Sequence, residues 1–312
     1  MNTRTTPCII HQQADADYRR LEGLSQSMAK ELLNSPAHYM ARYGPEAQPF
    51  FPTAAMKQGT AVHCRVLEPE VFAQTYMSKD DKPKEPTVAE LKVQLDAAGI
   101  EYPKSAKKGD LETLLWPDGK PAEKREALAG DIWREVHGAA DALRTHDITG
   151  HWFDPGQQDY RKMNEVSCMR ESDLGQLLKG RFDRIQIEDG VVKVLDLKTT
   201  ADASPRQFQR TAANLHYDLQ AAWYTLLAEG AFPGLPVEFY FVAVERKAPH
   251  GISLFKASAG LINSGRRKMA KALALHAQCL ELDYWPSYDP VIHELELPTW
   301  AEQQEEPASS EF

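Results

Sequence analysis

The feature that most constrains the fold is a pair of neighbouring apolar runs that carry three charged side chains. The runs cover residues 177–188 and 191–199, and the Asp-Gly pair between them is typical of a hairpin turn. The first run carries Asp183, and the second carries Asp196 and Lys198. Alternate side chains of a strand share a face, so Asp196 and Lys198 point the same way and the hairpin can bring Asp183 beside them.

Two carboxylates and an ammonium group within apolar strands are costly to bury without a partner. A bound metal ion explains them, because carboxylate oxygens are ligands that suit Mg²⁺ or Mn²⁺. The backbone carbonyl of Leu197 is a further candidate ligand. Lys198 would then hold or help to deprotonate a water that attacks a phosphate ester. The alternative is a surface salt bridge between Asp196 and Lys198, which the apolar surroundings disfavour.

Further candidate site residues lie on predicted helices and on the first strand. Gln220 and Tyr224 are four residues apart, so they share a helix face, although an ordinary amphipathic helix has the same spacing. His63 follows Gly59 by one helical turn, and a glycine there permits close approach of a metal-ligating imidazole. The alternative for His63 is a structural histidine. Glu165, which we expect to begin the first strand, is another candidate carboxylate.

The predicted fold class is α/β, with a central mixed β-sheet flanked by helices and a small helical insertion. The first twenty residues are predicted to be weakly structured. We expect a helix that Pro36 terminates, then helices over 54–67, 122–145, 204–214, 217–229 and 257–282. Strands are expected over 165–171, 177–188, 191–199, 237–245 and 252–256. The predicted parts are an N-terminal helical part (1–78), an insertion (79–125), a core (126–301) and a disordered acidic tail (302–312).

The predicted insertion is rich in Lys, Glu, Asp and Pro. Thr87 and Glu90 form the pattern of a capping box, and a second helix follows an extended piece, as in helix–extension–helix (SAP/LEM-like) modules. Lys104, Lys107 and Lys108 supply local positive charge for DNA binding. Since basic and acidic residues balance over the whole insertion, a spacer or a protein-contact module remains an equal alternative.

Composition excludes several kinds of protein. The four cysteines are far apart in the sequence, which argues against a zinc or iron–sulfur site. No apolar run approaches 18 residues, so we expect no membrane span and a cytoplasmic location. The net charge of −9 argues mildly against DNA binding, but a local basic groove can coexist with an acidic exterior.

Five segments, taken in order, resemble the RecE-type exonuclease (exodeoxyribonuclease VIII) of the PD-(D/E)xK, RecB-like nuclease superfamily. They are residues 59–70, 180–184, 196–201, 216–224 and 297–301. The resemblance implies an enzyme that degrades linear double-stranded DNA from its ends, 5′ to 3′, with Mg²⁺ and with Mn²⁺ as a substitute. It also implies 3′ single-stranded tails for a RecT-like annealing protein in phage-type recombination, and a homo-oligomer that can be a ring.

The resemblance also assigns roles to individual residues. It makes His63, Asp183 and Asp196 metal ligands and Lys198 the catalytic lysine. Gln220 and Tyr224 match its Q-x-x-x-Y helix element, which orients the lysine and contacts DNA. Arg181 and Arg184 are candidate DNA-binding residues, with solvated surface charge as the alternative for each.

Two features separate this chain from parts of that superfamily. The insertion is not part of the core pattern, and the iron–sulfur cysteines of some relatives are absent, which favours the exonuclease branch over the CRISPR-adaptation branch. Two other functions remain open from the sequence: an endonuclease of restriction or repair type, and a DNA-binding recombination scaffold without catalysis.

Overall fold

A computed structural model describes residues 8–10, 15–120, 122–154, 156 and 161–297. The acidic tail predicted over 302–312 lies outside the described residues. No helix in the described ranges is both long and apolar enough to span a membrane.

Eight strands and twelve α-helices make up the described structure. The strands are β1 (Cys8–Ile10), β2 (Tyr76–Ser78), β3 (Glu126–Leu128), β4 (Lys162–Glu171), β5 (Leu177–Glu188), β6 (Val191–Thr200), β7 (Val237–Glu245) and β8 (Ile252–Lys256). The helices are α1 (Asp15–Arg20), α2 (Gln26–Asn34), α3 (Pro36–Tyr43), α4 (Ala54–Leu67), α5 (Pro69–Thr75), α6 (Val88–Ala97), α7 (Lys108–Leu115), α8 (Gly130–Thr145), α9 (Thr149–Trp152), α10 (Pro205–Asn214), α11 (Tyr217–Ala231) and α12 (Ala259–Leu282).

The main sheet has six strands in the order β1-β4-β5-β6-β7-β8. β6 and β7 are parallel, and the other neighbouring pairs are antiparallel. The parallel pair needs a crossover connection, which α10 and α11 provide. The predicted fold class, an α/β core with a mixed sheet flanked by helices, is therefore confirmed.

Helices cover both faces of the sheet because β6 alternates its apolar side chains between them. Val192 and Val194 belong to the core that includes α11 and α12. Leu195 and Leu197 belong to the core on the other face, which includes α4 and α8. A strand that is apolar on both faces reads as a nearly continuous hydrophobic run, and this is the pattern of residues 191–197.

The predicted insertion emerges between β2 and β3, which pair in parallel at its base. Within it, α6 and α7 enclose a small core of their own around Leu91, Leu95 and Leu111, each fully buried. Thr87 and Glu90 form the predicted capping box at the start of α6. The helix pair with its own core matches the predicted helix–extension–helix pattern.

Several expected boundaries were wrong. Residues 8–10 and 15–20, expected to be weakly structured, form β1 and α1. Pro36 ends one helix but also occupies the first turn of the next, a position that tolerates its missing N–H. The helix expected from residue 122 begins only at Gly130, because β3 intervenes to close the insertion. The strand expected over residues 165–171 is β4, which begins at Lys162, so Glu165 lies inside this strand rather than at its start.

Helices α11 and α12 pack so closely that only glycine fits at residue 265. A Cβ placed there would lie 1.9 Å from the carbonyl oxygen of Asp218 and 2.7 Å from Cβ of Ala222. The obstacle is helix backbone, which cannot move aside as a flexible side chain can. Close contact of these two helices fixes α11 against the sheet, and α11 carries the predicted Gln220 and Tyr224.

We expect Gly265→Ala to lower the free energy of unfolding by about 3 kcal/mol, since overpacking against backbone forces the helices apart. Gly109→Ala is the matched control, because a Cβ on this helical glycine of α7 meets nothing within 4 Å. That control should raise stability by roughly 0.5–1 kcal/mol through helix propensity. Urea unfolding measures both, and equal effects of the two substitutions would contradict the close packing.

Candidate active site

The hairpin of β5 and β6 opens at the position of the predicted site. Its ladder ends at the pair Arg184 and Leu195, although both strands continue beyond that point. In the gap, a carboxylate oxygen of Asp183 accepts a hydrogen bond of 2.8 Å from the backbone N–H of Leu197. The N–H and C=O of one strand residue point toward the same edge, so the carbonyl of Leu197 also faces the gap.

The Asp196 carboxylate is held from two sides. Its Oδ2 forms an ion pair with the ammonium group of Lys198, and its Oδ1 accepts a hydrogen bond of 2.6 Å from the amide of Gln220. Asp196 is only 5% exposed, and this burial raises its pKa to about 6 against the opposing pull of Lys198. The structure thus brings the predicted Asp183, Asp196, Lys198 and Gln220 together.

Lys198 lies between carboxylates and an aromatic ring. Burial by itself lowers its pKa, but the charges of Asp196 and Asp183 outweigh burial, and the pKa is raised above the ordinary lysine value. Its ammonium nitrogen is 5.1 Å from the ring centroid of Tyr217, a cation–π distance. Lys198 is therefore a protonated, restrained cation at neutral pH.

His63 reaches the same gap from α4. Its Nδ1 lies 3.6 Å from Oδ2 of Asp183, and its imidazole hydrogen-bonds the backbone of Leu197. Desolvation and the nearby Lys198 lower the pKa of His63 to about 4, so the ring is neutral at pH 7 and keeps a lone pair for a ligand. Gly59, one turn earlier, permits this approach, since a Cβ there would lie 2.8 Å from Oγ1 of Thr199.

Glu165 stands beside Asp183 with an unusual backbone conformation, at φ 50°. Its carboxylate pairs with Arg181 at 2.6 Å. Burial and the neighbouring charge of Asp183 raise the pKa of Glu165, and burial likewise raises that of Asp183. Adjacent buried carboxylates of this kind disfavour one another's ionisation until a cation compensates them.

These donors fit a hard divalent cation. Asp183, Asp196 and the carbonyl of Leu197 are oxygen donors, which Mg²⁺ and Mn²⁺ prefer, and His63 adds a neutral nitrogen. Within the described ranges, no three His, Cys, Asp or Glu side chains are arranged so that they could hold a metal ion by themselves. Lys198, Gln220 and the Leu197 N–H occupy carboxylate oxygens that a cation would share or take over.

The site opens into a wide cleft of about 1400 Å³. Its walls come from α1, the exposed side of α4, α5, the ends of the central strands and the segment after β7. Residues that line it include Tyr18, Met56, His63, Glu68, Glu165, Arg181, Asp183, Lys198, Tyr224 and Arg246. A cleft of this volume, with carboxylates and an ammonium group among its lining side chains, can admit a polymeric, charged substrate.

Of the five residues predicted to bind DNA, four do not line the cleft. Arg184 is 1% exposed and donates a hydrogen bond of 2.7 Å to Asn164, so it is a buried structural residue rather than a surface contact. The predicted lysines of the insertion, Lys104, Lys107 and Lys108, do not line the cleft. Arg181 does line it, but its charge is already paired with Glu165.

Two residues of the site were missed in the sequence. Tyr217 precedes Gln220 by three residues, so the shared helix face was a usable signal for its contact with Lys198. Asn164 accepts from Arg184 and donates a hydrogen bond of 2.7 Å to the carbonyl of Leu67, the last residue of α4. This bond ties the helix of His63 to the sheet, and nothing in the local sequence marks it.

Tyr224 packs on Phe182 with ring centroids 5.3 Å apart, beneath Gly180.

The chain matches a family model described as a PDDEXK-like domain of unknown function (DUF3799), over residues 25–291. No curated protein matches it. Among solved structures, a protein from Eubacterium rectale described as "Putative exonuclease" aligns with a TM-score of 0.56 at 12% identity, covering 96% of this chain and 100% of that one. At this identity the likeness shows a shared fold.

Two further solved structures align more loosely. SSO0001 gives a TM-score of 0.28 at 15% identity and covers 73% of this chain and 87% of that one. Protein VC1899 from Vibrio cholerae gives 0.21 at 10% identity and covers 89% and 58%.

We expect Mn²⁺ to stabilise the wild-type chain, by about 2.7 kcal/mol at a concentration roughly 100 times its dissociation constant. Asp183→Asn should abolish this gain. Without metal, this substitution should not destabilise the chain, because an amide avoids the burial cost that raises the pKa of Asp183. Thermal unfolding with and without Mn²⁺ measures both effects.

The matched control for that experiment is Asp189→Asn in the exposed hairpin turn, where Asn tolerates the positive φ. It should keep the full response to Mn²⁺. A response that survives in Asp183→Asn, or one that is lost equally in both variants, would contradict a cation site at Asp183.

The response to Mn²⁺ should also depend on pH. A cation needs Asp196 ionised, and its pKa of about 6 means that a proton competes below that value. The apparent affinity should therefore be nearly constant above about pH 6 and fall by about tenfold per pH unit below it. Measuring the unfolding temperature at increasing Mn²⁺ concentrations, at several pH values, gives the affinity at each pH. An affinity that rises on acidification would contradict the prediction.

Proposed function

The chain belongs to the PDDEXK-like family DUF3799, and from this premise we propose that it is a metal-dependent exonuclease that degrades linear double-stranded DNA. The observation that carries the proposal is the gap between β5 and β6, where Asp183, Asp196 and Lys198 meet at the floor of an open cleft. The description of the Eubacterium rectale protein supports the exonuclease form of this activity.

We assign the metal to Asp183, Asp196, the carbonyl of Leu197 and His63. A bound Mg²⁺ or Mn²⁺ supplies Lewis-acid polarisation of a phosphate and acidifies bound water. Asp183 and Asp196 hold their carboxylates toward the gap because Leu197 and Gln220 restrain them. His63 stays neutral, so it can share a lone pair without adding a positive charge that would repel the cation.

Lys198 acts as a cation in this mechanism. Its raised pKa favours an ammonium group that donates hydrogen bonds to the attacking water and to a phosphate oxygen, over a neutral amine that removes a proton. Gln220 and Tyr217 fix the Asp196–Lys198 pair from one turn of α11. Tyr224 supports the floor of the cleft through its contact with Phe182.

The finer parts of the proposal follow the RecE-type resemblance. We propose 5′ to 3′ digestion that leaves 3′ single-stranded tails, used by a RecT-like annealing protein in recombination in the cytoplasm of a bacterial or phage-infected cell. We also propose a homo-oligomer, with a ring as the arrangement that would keep the enzyme on its DNA.

Digestion of linear and covalently closed circular duplex DNA with Mg²⁺ tests the proposal directly. We expect linear DNA to be degraded and circles to survive. Lys198→Met should reduce the rate by roughly 10²–10³-fold, because a positioned hydrogen-bond donor and positive charge are lost at the transition state. Asp196→Asn should remove activity to a similar extent.

Lys193→Met is the matched control, since Lys193 lies on the same strand but pairs with Glu188 near the turn, away from the gap. It should retain the wild-type rate. Cleavage of circles would make the enzyme an endonuclease, and cleavage of neither substrate with Mg²⁺ or Mn²⁺ would favour a DNA-binding scaffold. Circular dichroism of each variant separates lost chemistry from lost folding.

A further inference from the structure

Arg246 lies at the same end of the sheet as the acidic residues and Lys198. It directly follows β7, which runs parallel to β6, and its backbone N–H donates a hydrogen bond of 3.0 Å to the carbonyl of Thr200 at the end of β6. Parallel strands gather ligand-binding groups at their carboxyl ends, where their last residues lie side by side. Arg246 also lines the same cleft as Lys198.

The segment that carries Arg246 is fixed by hydrogen bonds on both sides. The carboxylate of Glu245 accepts bonds from the backbone N–H groups of Ala203, at 3.1 Å, and Gly251, at 3.3 Å. The N–H of His250 donates to the carbonyl of Lys247 at 2.9 Å. The backbone of Arg246 is therefore held in place, so a ligand contact there costs little ordering of the chain.

The charge of Arg246 differs from that of its neighbours in the cleft. Lys198 is paired with Asp196, and Arg181 is paired with Glu165. Among the described residues, by contrast, the Arg246 side chain forms no ion pair and no hydrogen bond, and adjacent Glu245 is occupied by backbone amides. The guanidinium of Arg246 is therefore available to bind an anionic ligand, in a cleft whose other lining residues include Glu68 and Glu70.

We propose that Arg246 binds a phosphate of the DNA strand next to the linkage that is cleaved, on the Thr200 side of the site. This inference rests on the proposed nuclease function. The planar guanidinium matches two phosphate oxygens at once, which an ammonium group does not. Phosphates that enter the cleft meet repulsion from Glu68 and Glu70, and Arg246 supplies a compensating charge beside the reacting groups.

The test measures the affinity for a blunt linear duplex over a range of NaCl concentrations, in an Asp196→Asn background that does not cleave it. Arg246→Gln should weaken binding by about tenfold and lower the slope of log affinity against log salt by about 1, as expected for one lost phosphate contact. Arg246→Lys should keep the slope but recover only part of the affinity. Lys247→Gln, an exposed neighbour, is the matched control and should change neither.

In the cleaving enzyme, Arg246→Gln should raise KM about tenfold and leave kcat within about twofold, since it removes a contact made equally in the ground and transition states. DNA binding and cleavage that are unaffected by Arg246→Gln, or affected equally by Lys247→Gln, would overturn the inference while the nuclease function stands. A protein that neither binds nor cuts DNA would overturn the proposed function, and the inference with it.

Discussion

The hydrogen bond from the Leu197 backbone to the Asp183 carboxylate is the contact on which the site depends. In an ordinary hairpin, a carbonyl of the neighbouring strand would accept the bond from Leu197 and the ladder would continue. Here a side chain takes that place, the two strands separate, and a gap opens within a sheet that is otherwise continuous. The gap holds charged groups inside the sheet while the backbone N–H of Leu197 keeps a hydrogen-bond partner.

The same gap creates an electrostatic conflict that a cation resolves. Burial raises the pKa of Asp183, Asp196 and Glu165, while Lys198 and Arg181 offset only part of their charge. Such a site lowers the stability of the folded chain at neutral pH and strengthens binding of a divalent ion in the same step. Gln220 restrains Asp196 and Asn164 restrains α4, so these groups stay close together although their mutual repulsion would otherwise separate them.

Helix packing determines how accurately the site is held. Gly265 lets α12 approach α11, Gly180 makes room for Tyr224 and Leu227 of α11, and Gly59 lets α4 approach the end of β6. Each of these glycines removes a Cβ where two elements meet. The side chains of α4, β6 and α11 converge on one gap as a result, and the cleft above the gap stays open, with Arg246 among the residues that line it.

The sequence by itself determined the α/β class, most of the helices and strands, and the charged residues of the hairpin. Period-two alternation, an Asp-Gly turn and the capping pattern at Thr87 are local signals, and local physics suffices for them. The prediction that the first twenty residues are weakly structured was wrong at residues 8–10, because β1 is completed by pairing with β4, far along the chain.

Only the tertiary structure decided which charges face the cleft. Arg181 and Arg184 lie on one strand, and the sequence does not tell which of them faces the cleft; in the structure Arg181 lines it, whereas Arg184 is buried against Asn164. The positive φ at Glu165 and the end of the hairpin ladder break the simple alternation there. Arg246 and Asn164 join the site through contacts with residues distant in sequence, which no local pattern encodes.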